Sequence, residues 1–379
     1  MNRLSTSWGE VSLARFPADP RDPLRAWDAA DEYLLRHLGE TEPRPSGTVA
    51  VVGDRWGALA TSLAAFHPVQ ISDSFLGREA TRANLLRNGL DAGAVRLLSA
   101  RDTPPERIDV LLVRVPKSLA LLEDQLHRLA PALHEGTVVV GTGMVSEIHT
   151  STLRLFERII GPTRTSLAVR KARLILATPD PAIGAGPSPW PLRYALPDGI
   201  GVMSGRTVTN HAGIFCADRL DIGTRFFLKH LPGTRGPVRV VDLGCGNGVV
   251  GTAAALANPA AAVSFVDESF SAVASAEATH RENSGGEAEF LVADGVSRLP
   301  GGSADLVLCN PPFHSHRATT DSTARRMFGG AHRVLAPGGE LWVVGNRHLG
   351  YHLRLRRLFG DCEVVASDPK FVVLKAVRK

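Results

Sequence analysis

The second half of the chain alternates short apolar runs with stretches of helical character. Pro237-Val-Arg-Val-Val-Asp242 is an apolar run that ends in an acid and enters a glycine-rich turn. Val249 to Asn258 is rich in alanine and predicts a helix. Ala262-Val-Ser-Phe-Val-Asp267 reads as a second strand ending in an acid, and Ser271 to Asn283 as a second helix. Glu289-Phe-Leu-Val-Ala-Asp294 and Ala304-Asp-Leu-Val-Leu-Cys-Asn310 predict a third and a fourth strand, the latter stopped by Pro-Pro. A helix around 324–335 ends at Pro337-Gly338-Gly339, and a fifth strand covers 340–345. This alternation predicts an α/β fold with a doubly wound, mostly parallel sheet. Ligands of such sheets lie at the carboxyl ends of the strands. Asp242, Asp267, Asp294 and Asn310 all fall there.

The first half repeats the layout without the chemistry. Val49-Ala-Val-Val-Gly53 with Asp-Arg-Trp-Gly57 parallels 238–248, and Val69-Gln-Ile-Ser-Asp73 parallels the strand ending at Asp267. Arg82 to Asn88 parallels His280 to Asn283, Ile108 to Lys117 parallels 304–313, and Val138 to Gly143 parallels 341–346. The offset drifts only from 191 to about 203 over these five ordered blocks. Chance likeness between two α/β domains is the plain alternative, since short apolar strands recur widely. Five matches in order favour an internal duplication. Apolar Val-Val stands before Gly53 where Asp242 would be, and Arg-Val-Pro-Lys stands where Asn-Pro-Pro-Phe would be, so the first copy reads as degenerate.

A chain of 379 residues fits two domains at roughly 100–200 residues each. Pro and Gly crowd 179–199 and predict a connector. The expected domains are 1–185, the degenerate copy, and 186–379, which carries the intact strand-end acids and Asn310. Residues 1–20 lack clear periodicity and read as a loosely docked arm. Four cysteines without CxxC spacing argue against a disulfide scaffold or a four-cysteine zinc site. The start of the chain lacks a signal peptide's apolar run, and no stretch approaches about 20 apolar residues. A soluble, cytoplasmic protein that makes no membrane contact is the expectation. Up to Trp190 there are 22 basic and 21 acidic residues, and beyond it 21 and 17. The modest net charge of +5 therefore sits mostly in the second half, where clustered charge would suit an anionic partner.

The strongest local signal is Val-Asp242-Leu-Gly244-Cys245-Gly246-Asn247-Gly248. A dinucleotide site calls for GxGxxG after its strand, whereas the spacing here is GxGxG led by Asp-Leu. That resembles the first motif of the class I S-adenosylmethionine (AdoMet) methyltransferases. AdoMet carries no pyrophosphate, so an acid such as Asp242 can attract its cationic groups instead. A tight turn without ligand is the bland alternative. Under the same resemblance Asp267 takes the ribose hydroxyls and Asp294 meets the adenine amine. Asn310-Pro311-Pro312-Phe313 resembles the signature of methyltransferases acting on nitrogens conjugated to a planar ring. There Asn310 and a neighbouring carbonyl grip the amine, and Phe313 stacks on the ring. An ordinary strand-ending proline turn is the competing explanation.

Together these motifs resemble the rRNA guanine-N2 methyltransferases of the small- and large-subunit pair, and the tail Glu340 to Gly360 looks most like the large-subunit member. The resemblance implies two tandem Rossmann-like class I methyltransferase domains, the first degenerate, with AdoMet as cofactor and 23S rRNA favoured over 16S rRNA as partner. It places Thr224, in the stretch Gly213 to Leu228, at the cofactor pocket. It also makes His314, Arg317, Arg347, His348, Tyr351 and Arg354 candidate RNA contacts, a solvated helix face being the alternative. His348 and His352 stand four apart, but no HExxH accompanies them and no metal is expected. A monomer is expected. The competing functions are methylation of 16S rRNA, methylation of a small molecule or a protein glutamine, and a non-catalytic RNA-binding assembly factor.

Overall fold

Continuous apolar runs make strands that are buried on both faces, and both halves of the chain are built around them. The computed structural model describes residues 3–19, 22–42, 44–184, 186–312 and 317–379, without side chains for 317–321. It divides into two units, Met1–Trp190 and Pro191–Lys379.

In the first unit, β1 (Arg3–Thr6) and β2 (Gly9–Ser12) form an antiparallel hairpin ahead of α1 (Ala29–Thr41). The sheet elements follow in the order β3 (Val49–Val52), α2 (Ala58–Ser62), β4 (Val69–Ser72), α3 (Phe75–Arg87), β5 (Arg96–Ser99), β6 (Val110–Arg114), α4 (Leu119–Leu129) and β7 (Val138–Met144). Then come α5 (Thr150–Ile159), β8 (Thr163–Thr165) and β9 (Ala172–Ala177).

The second unit runs through the same sequence of elements. A hairpin of β10 (Leu192–Ala195) and β11 (Thr207–Asn210) precedes α6 (Ile222–Leu228). Next come β12 (Val238–Leu243), α7 (Val249–Ala257), β13 (Ala261–Asp267), α8 (Phe270–Asn283), β14 (Ala288–Val292), β15 (Ala304–Cys309), α9 (Arg317–Val334) and β16 (Leu335–Asn346). The unit closes with α10 (Tyr351–Phe359), β17 (Glu363–Ser367) and β18 (Phe371–Val377).

Both seven-stranded sheets have the same spatial order: β5-β4-β3-β6-β7-β9-β8 in one and β14-β13-β12-β15-β16-β18-β17 in the other. Five strands are parallel in each, and the strand reached last in the chain inserts antiparallel next to the fifth. The expected pair of tandem, doubly wound, mostly parallel sheets is what the chain forms. The chain reverses direction across the sheet beside β3 and beside β12, and a doubly wound sheet opens its ligand crevice at that switch point. Aliphatic side chains of the strands and flanking helices fill both layers of each unit.

Two expectations need correction. Of the expected arm 1–20, the described residues 3–19 are not loose: Leu4 and Leu13 are buried, and the hairpin is held by backbone bonds. Asn88 Oδ1 accepts from Ser12 N at 2.7 Å and its Nδ2 donates to Ser12 O, while Asn84 does the same for Ala14. No apolar period announces a strand anchored through its amides. The Pro- and Gly-rich connector also ends early, since Leu192–Ala195 pairs with Thr207–Asn210. The stretch before it lies on the first unit, with Ser188 Oγ donating to Asp124 and the Trp190 indole to Glu123.

Candidate active site

The carboxyl ends of β12, β13 and β15 gather the expected acids and amide. Asp242, near the end of β12, is 3% exposed, and its Oδ2 accepts from Gly251 N at 2.8 Å. The carboxylate thus ties the strand to the first turn of α7, where helix dipole and unpaired N–H groups favour negative charge. Burial, with Asp267 nearby, pushes the Asp242 carboxyl up to about 7. Asp267 closes β13. Its Oδ2 accepts from Gly246 N at 3.1 Å and its Oδ1 from Ser269 N at 3.0 Å. With about four lone-pair sites on its two oxygens, the carboxylate can still accept a hydroxyl beside its backbone donors. Burial raises this carboxyl too, against the pull of those N–H groups.

The glycine turn between β12 and α7 is pinned at its base. Gly244 N and Cys245 N donate to Val266 O at 2.8 and 3.1 Å, and Gly248 N donates to Cys245 O. Gly248 has a φ of 77°, and a Cβ there would lie 2.7 Å from the Cα of Ala276 in α8, so only glycine lets the two helices approach. Gly246 also has positive φ, but a Cβ there would meet nothing within 4 Å. The turn's outer face is backbone alone, a cradle that a ligand can approach closely. Asn247 is held by its Nδ2, which donates to Asn210 Oδ1 at 2.9 Å.

Asn310 follows β15, next to the turn across the β12–β15 pair. Its Nδ2 donates to Thr224 Oγ1 at 3.0 Å. Its Oδ1 is buried and has no hydrogen-bond partner among the described residues. A buried, unsatisfied acceptor is costly, and this one stands at a strand end beside the glycine cradle. Pro311 and Pro312, which follow, offer no N–H. Thr224 stands in the first turn of α6, where its N–H donates to the capping Asp221 at 2.9 Å. Cys245 and Cys309 are buried, and burial raises both thiols far from ionisation, so they pack rather than react.

Asp294 is not free: its Oδ1 pairs with Arg326 of α9 at 3.3 Å. Phe313 and His314 lie outside the described residues, and Arg317 opens α9 without a described side chain. Arg347 and His348 are exposed just past the end of β16, the strand beside β15. Tyr351 does not join them. It is 2% exposed, its ring packed edge-on against Phe328 and its other side facing Arg354. It therefore belongs to the core and offers no face to a base. Being the first residue of an amphipathic helix turned it inward. Among the described residues, no cluster of three or more His, Cys, Asp or Glu side chains could hold a metal.

The family model described as the RLMG N-terminal domain matches residues 1–181, and that of the methyltransferase small domain matches 205–375. The ribosomal RNA large subunit methyltransferase G of Streptomyces avermitilis is 72% identical over 376 residues, 99% of either chain. The chain belongs to the methyltransferase G family. Further members of that family are 72% identical over 377 residues in Streptomyces coelicolor and 50% over 382 residues in Pseudomonas aeruginosa, covering 99% of this chain and 100% of theirs. A solved structure titled as the T. thermophilus 16S rRNA N2 methyltransferase (RsmC), in complex with AdoMet and guanosine, matches the fold. Its TM-score is 0.76 over 100% of this chain and 97% of its own, at 20% identity. The glycine cradle and the Asp267 carboxylate fit the AdoMet site that a methyltransferase G family member requires, and the open Asn310 acceptor stands beside them. The Asn310–Thr224 bond is the part that motif reading missed, because it joins residues 86 apart in sequence.

Proposed function

We propose that this chain transfers a methyl group from AdoMet to the exocyclic N2 of a guanine in the 23S RNA of the large ribosomal subunit, in the cytoplasm and as a monomer. The observation that carries the reading is the Asn310 Oδ1, a buried acceptor with no partner among the described residues, at the mouth of a glycine cradle. The relatives at 72% identity favour ribosomal RNA of the large subunit over a small molecule, a protein glutamine or the small-subunit RNA. An open acceptor and an intact cradle favour catalysis over a vestigial assembly factor.

AdoMet, when bound, supplies an electrophilic methyl on its sulfonium. The guanine amine is a weak nucleophile, because its lone pair is delocalised into the ring. Asn310 Oδ1 and the Pro311 carbonyl accept its two N–H bonds and favour a tetrahedral nitrogen, a case of orientation with electrostatic stabilisation. Phe313 stacks on the base. Entry of the base costs a few kcal/mol of unstacking, least where the base is unpaired. Gly246 and Asp267 hold the cofactor, while Arg347, His348, Arg317, His314 and Arg354 meet the RNA.

The test is transfer of labelled methyl to protein-free rRNA and to isolated subunits from a strain lacking the gene. Label recovered as N2-methylguanine in 23S RNA is the expected result. Label in 16S RNA reassigns the substrate, and no label in any RNA despite AdoMet binding overturns the reading.

A further inference from the structure

Asn310 can serve as an acceptor only if its amide is oriented with the oxygen toward the substrate. The amide is nearly symmetric in shape, and rotation by half a turn would place two N–H donors against the amine instead. Something in the protein must choose between the two orientations. Three residues in a row bear on it. Asp221, the N-cap of α6, carries an oxygen that accepts from Thr224 N at 2.9 Å and faces Thr224 Oγ1 at 3.3 Å. Thr224 Oγ1 in turn lies 3.0 Å from the Asn310 amide. A carboxylate only accepts, so the Thr224 hydroxyl proton points to Asp221. The hydroxyl then has lone pairs alone left for Asn310, and only Nδ2 can answer them. Were the amide reversed, the Thr224 proton would have to leave Asp221 for Asn310 Oδ1, setting oxygen lone pairs against a carboxylate oxygen.

We infer that Asp221 and Thr224 form a directional hydrogen-bond chain whose task is to hold Asn310 with Oδ1 aimed at the guanine amine. Thr224 is thus a positioning residue that acts through Asn310, rather than a cofactor ligand. This inference rests on the methyl-transfer reading above and names what sets that site's polarity.

Thr224→Val keeps the shape of the side chain and removes the hydroxyl. It lowers kcat by about 10- to 100-fold, the size of loss that misplacing a reacting group brings, and leaves AdoMet affinity and the KM for RNA unchanged. Thr224→Ser restores kcat because it keeps the hydroxyl. If Thr224→Val does not fold, Thr224→Ala takes its place.

The decisive measurement is a double-mutant cycle. With Asn310→Ala as background there is no amide to orient, so Thr224→Val costs nothing further. An equal loss in both backgrounds assigns Thr224 a structural role and overturns the inference. Weaker AdoMet binding with unchanged kcat makes it a cofactor contact and overturns the inference as well. If the unaltered protein methylates no RNA, the function reading has failed. If the protein is active and the Thr224 variants match it, the orienting chain alone has failed.

Discussion

The same residue positions build opposite interiors in the two units. Val52 of β3 stands opposite Val113 of β6, and Leu243 of β12 opposite Cys309 of β15, so Arg114 and Asn310 are equivalent. Asp28 and Asp221 both cap the helix that follows the hairpin, with Asp31 and Thr224 three residues on. Gly57 and Gly248 both cap the next helix, which sets Arg55 against Gly246. The second unit thus has the Thr224–Asn310 bond and a bare glycine cradle. At the four matching places the first has Arg114, Asp28, Asp31 and Arg55, all charged, and Glu147 joins them.

Arg114 is fully buried, and it reaches Asp28 at 2.7 Å, Glu147 at 2.9 Å and Asp31 at 3.3 Å. Arg55 reaches Glu147 at 2.7 Å and Asp28 at 3.6 Å. Burial raises the Asp31 carboxyl to about 7 against the pull of Arg114. Burial also works to raise Glu147, but hydrogen bonds and charge from Arg55 and Arg114 hold it at about 2. This network fills the place of a ligand site with the chain's own charges.

The helix cap shows the same exchange. Asp242 sends its carboxylate from the strand to Gly251 N. In the first unit Val51 stands at that strand position, and Asp54 of the loop bonds Ala58 N and Ala60 N instead. Both units therefore keep a carboxylate against the start of this helix, while its source in the chain has moved.

The comparison can be broken at its strongest point first. Arg114→Met leaves three acids without their buried cation and destabilises the first unit by about 3–5 kcal/mol, read as a lowered unfolding midpoint in denaturant. If it costs nothing, the network is not what replaced the ligand. Asn310→Ala, at the equivalent position, acts on chemistry instead. It lowers kcat by about 10²- to 10³-fold, the scale for removing one oriented hydrogen-bonding group, with AdoMet affinity retained by calorimetry.

The glycines sharpen the contrast. Gly57→Ala and Gly248→Ala each drive a Cβ into the Cα of the following helix, at Thr81 and Ala276, and cost both units about 1–3 kcal/mol. Gly246→Ala meets no protein atom and costs only the roughly 1–2 kcal/mol of a left-handed backbone, yet it abolishes AdoMet binding.

The most gradual effect concerns pH. The folded Asp242 carboxyl titrates near 7, above its ordinary value of 3.8, so its contribution to stability is complete below about 4 and lost as the pH rises through 7. Replacing it with Asn removes up to about 1.4 kcal/mol per pH unit of slope between those limits, read from melts at several pH values.

Much of this is legible in the sequence. The strand ends at Asp242, Asp267 and Asn310 were readable because apolar runs, acids and prolines are local signals. So was the repeat, whose blocks kept their order. The hairpins were not: their strands are four residues long and held by Asn84, Asn88 and Asn283 through backbone bonds that leave no side-chain period. Tyr351 was misjudged because aromatic and basic residues on one short helix look alike in sequence, whichever side faces the core.

The sequence by itself determined the two α/β repeats, the glycine turn and the set of residues able to hold AdoMet and an amine, since each depends on residue type within a few positions. Tertiary structure alone decided which polar groups are already spent. It pairs Asp294 with Arg326, closes Arg114 within its acids, and leaves Asn310 Oδ1 open beside Thr224. Hydrogen bonds and ion pairs saturate only when distant segments meet, and that meeting separates a working site from a filled one.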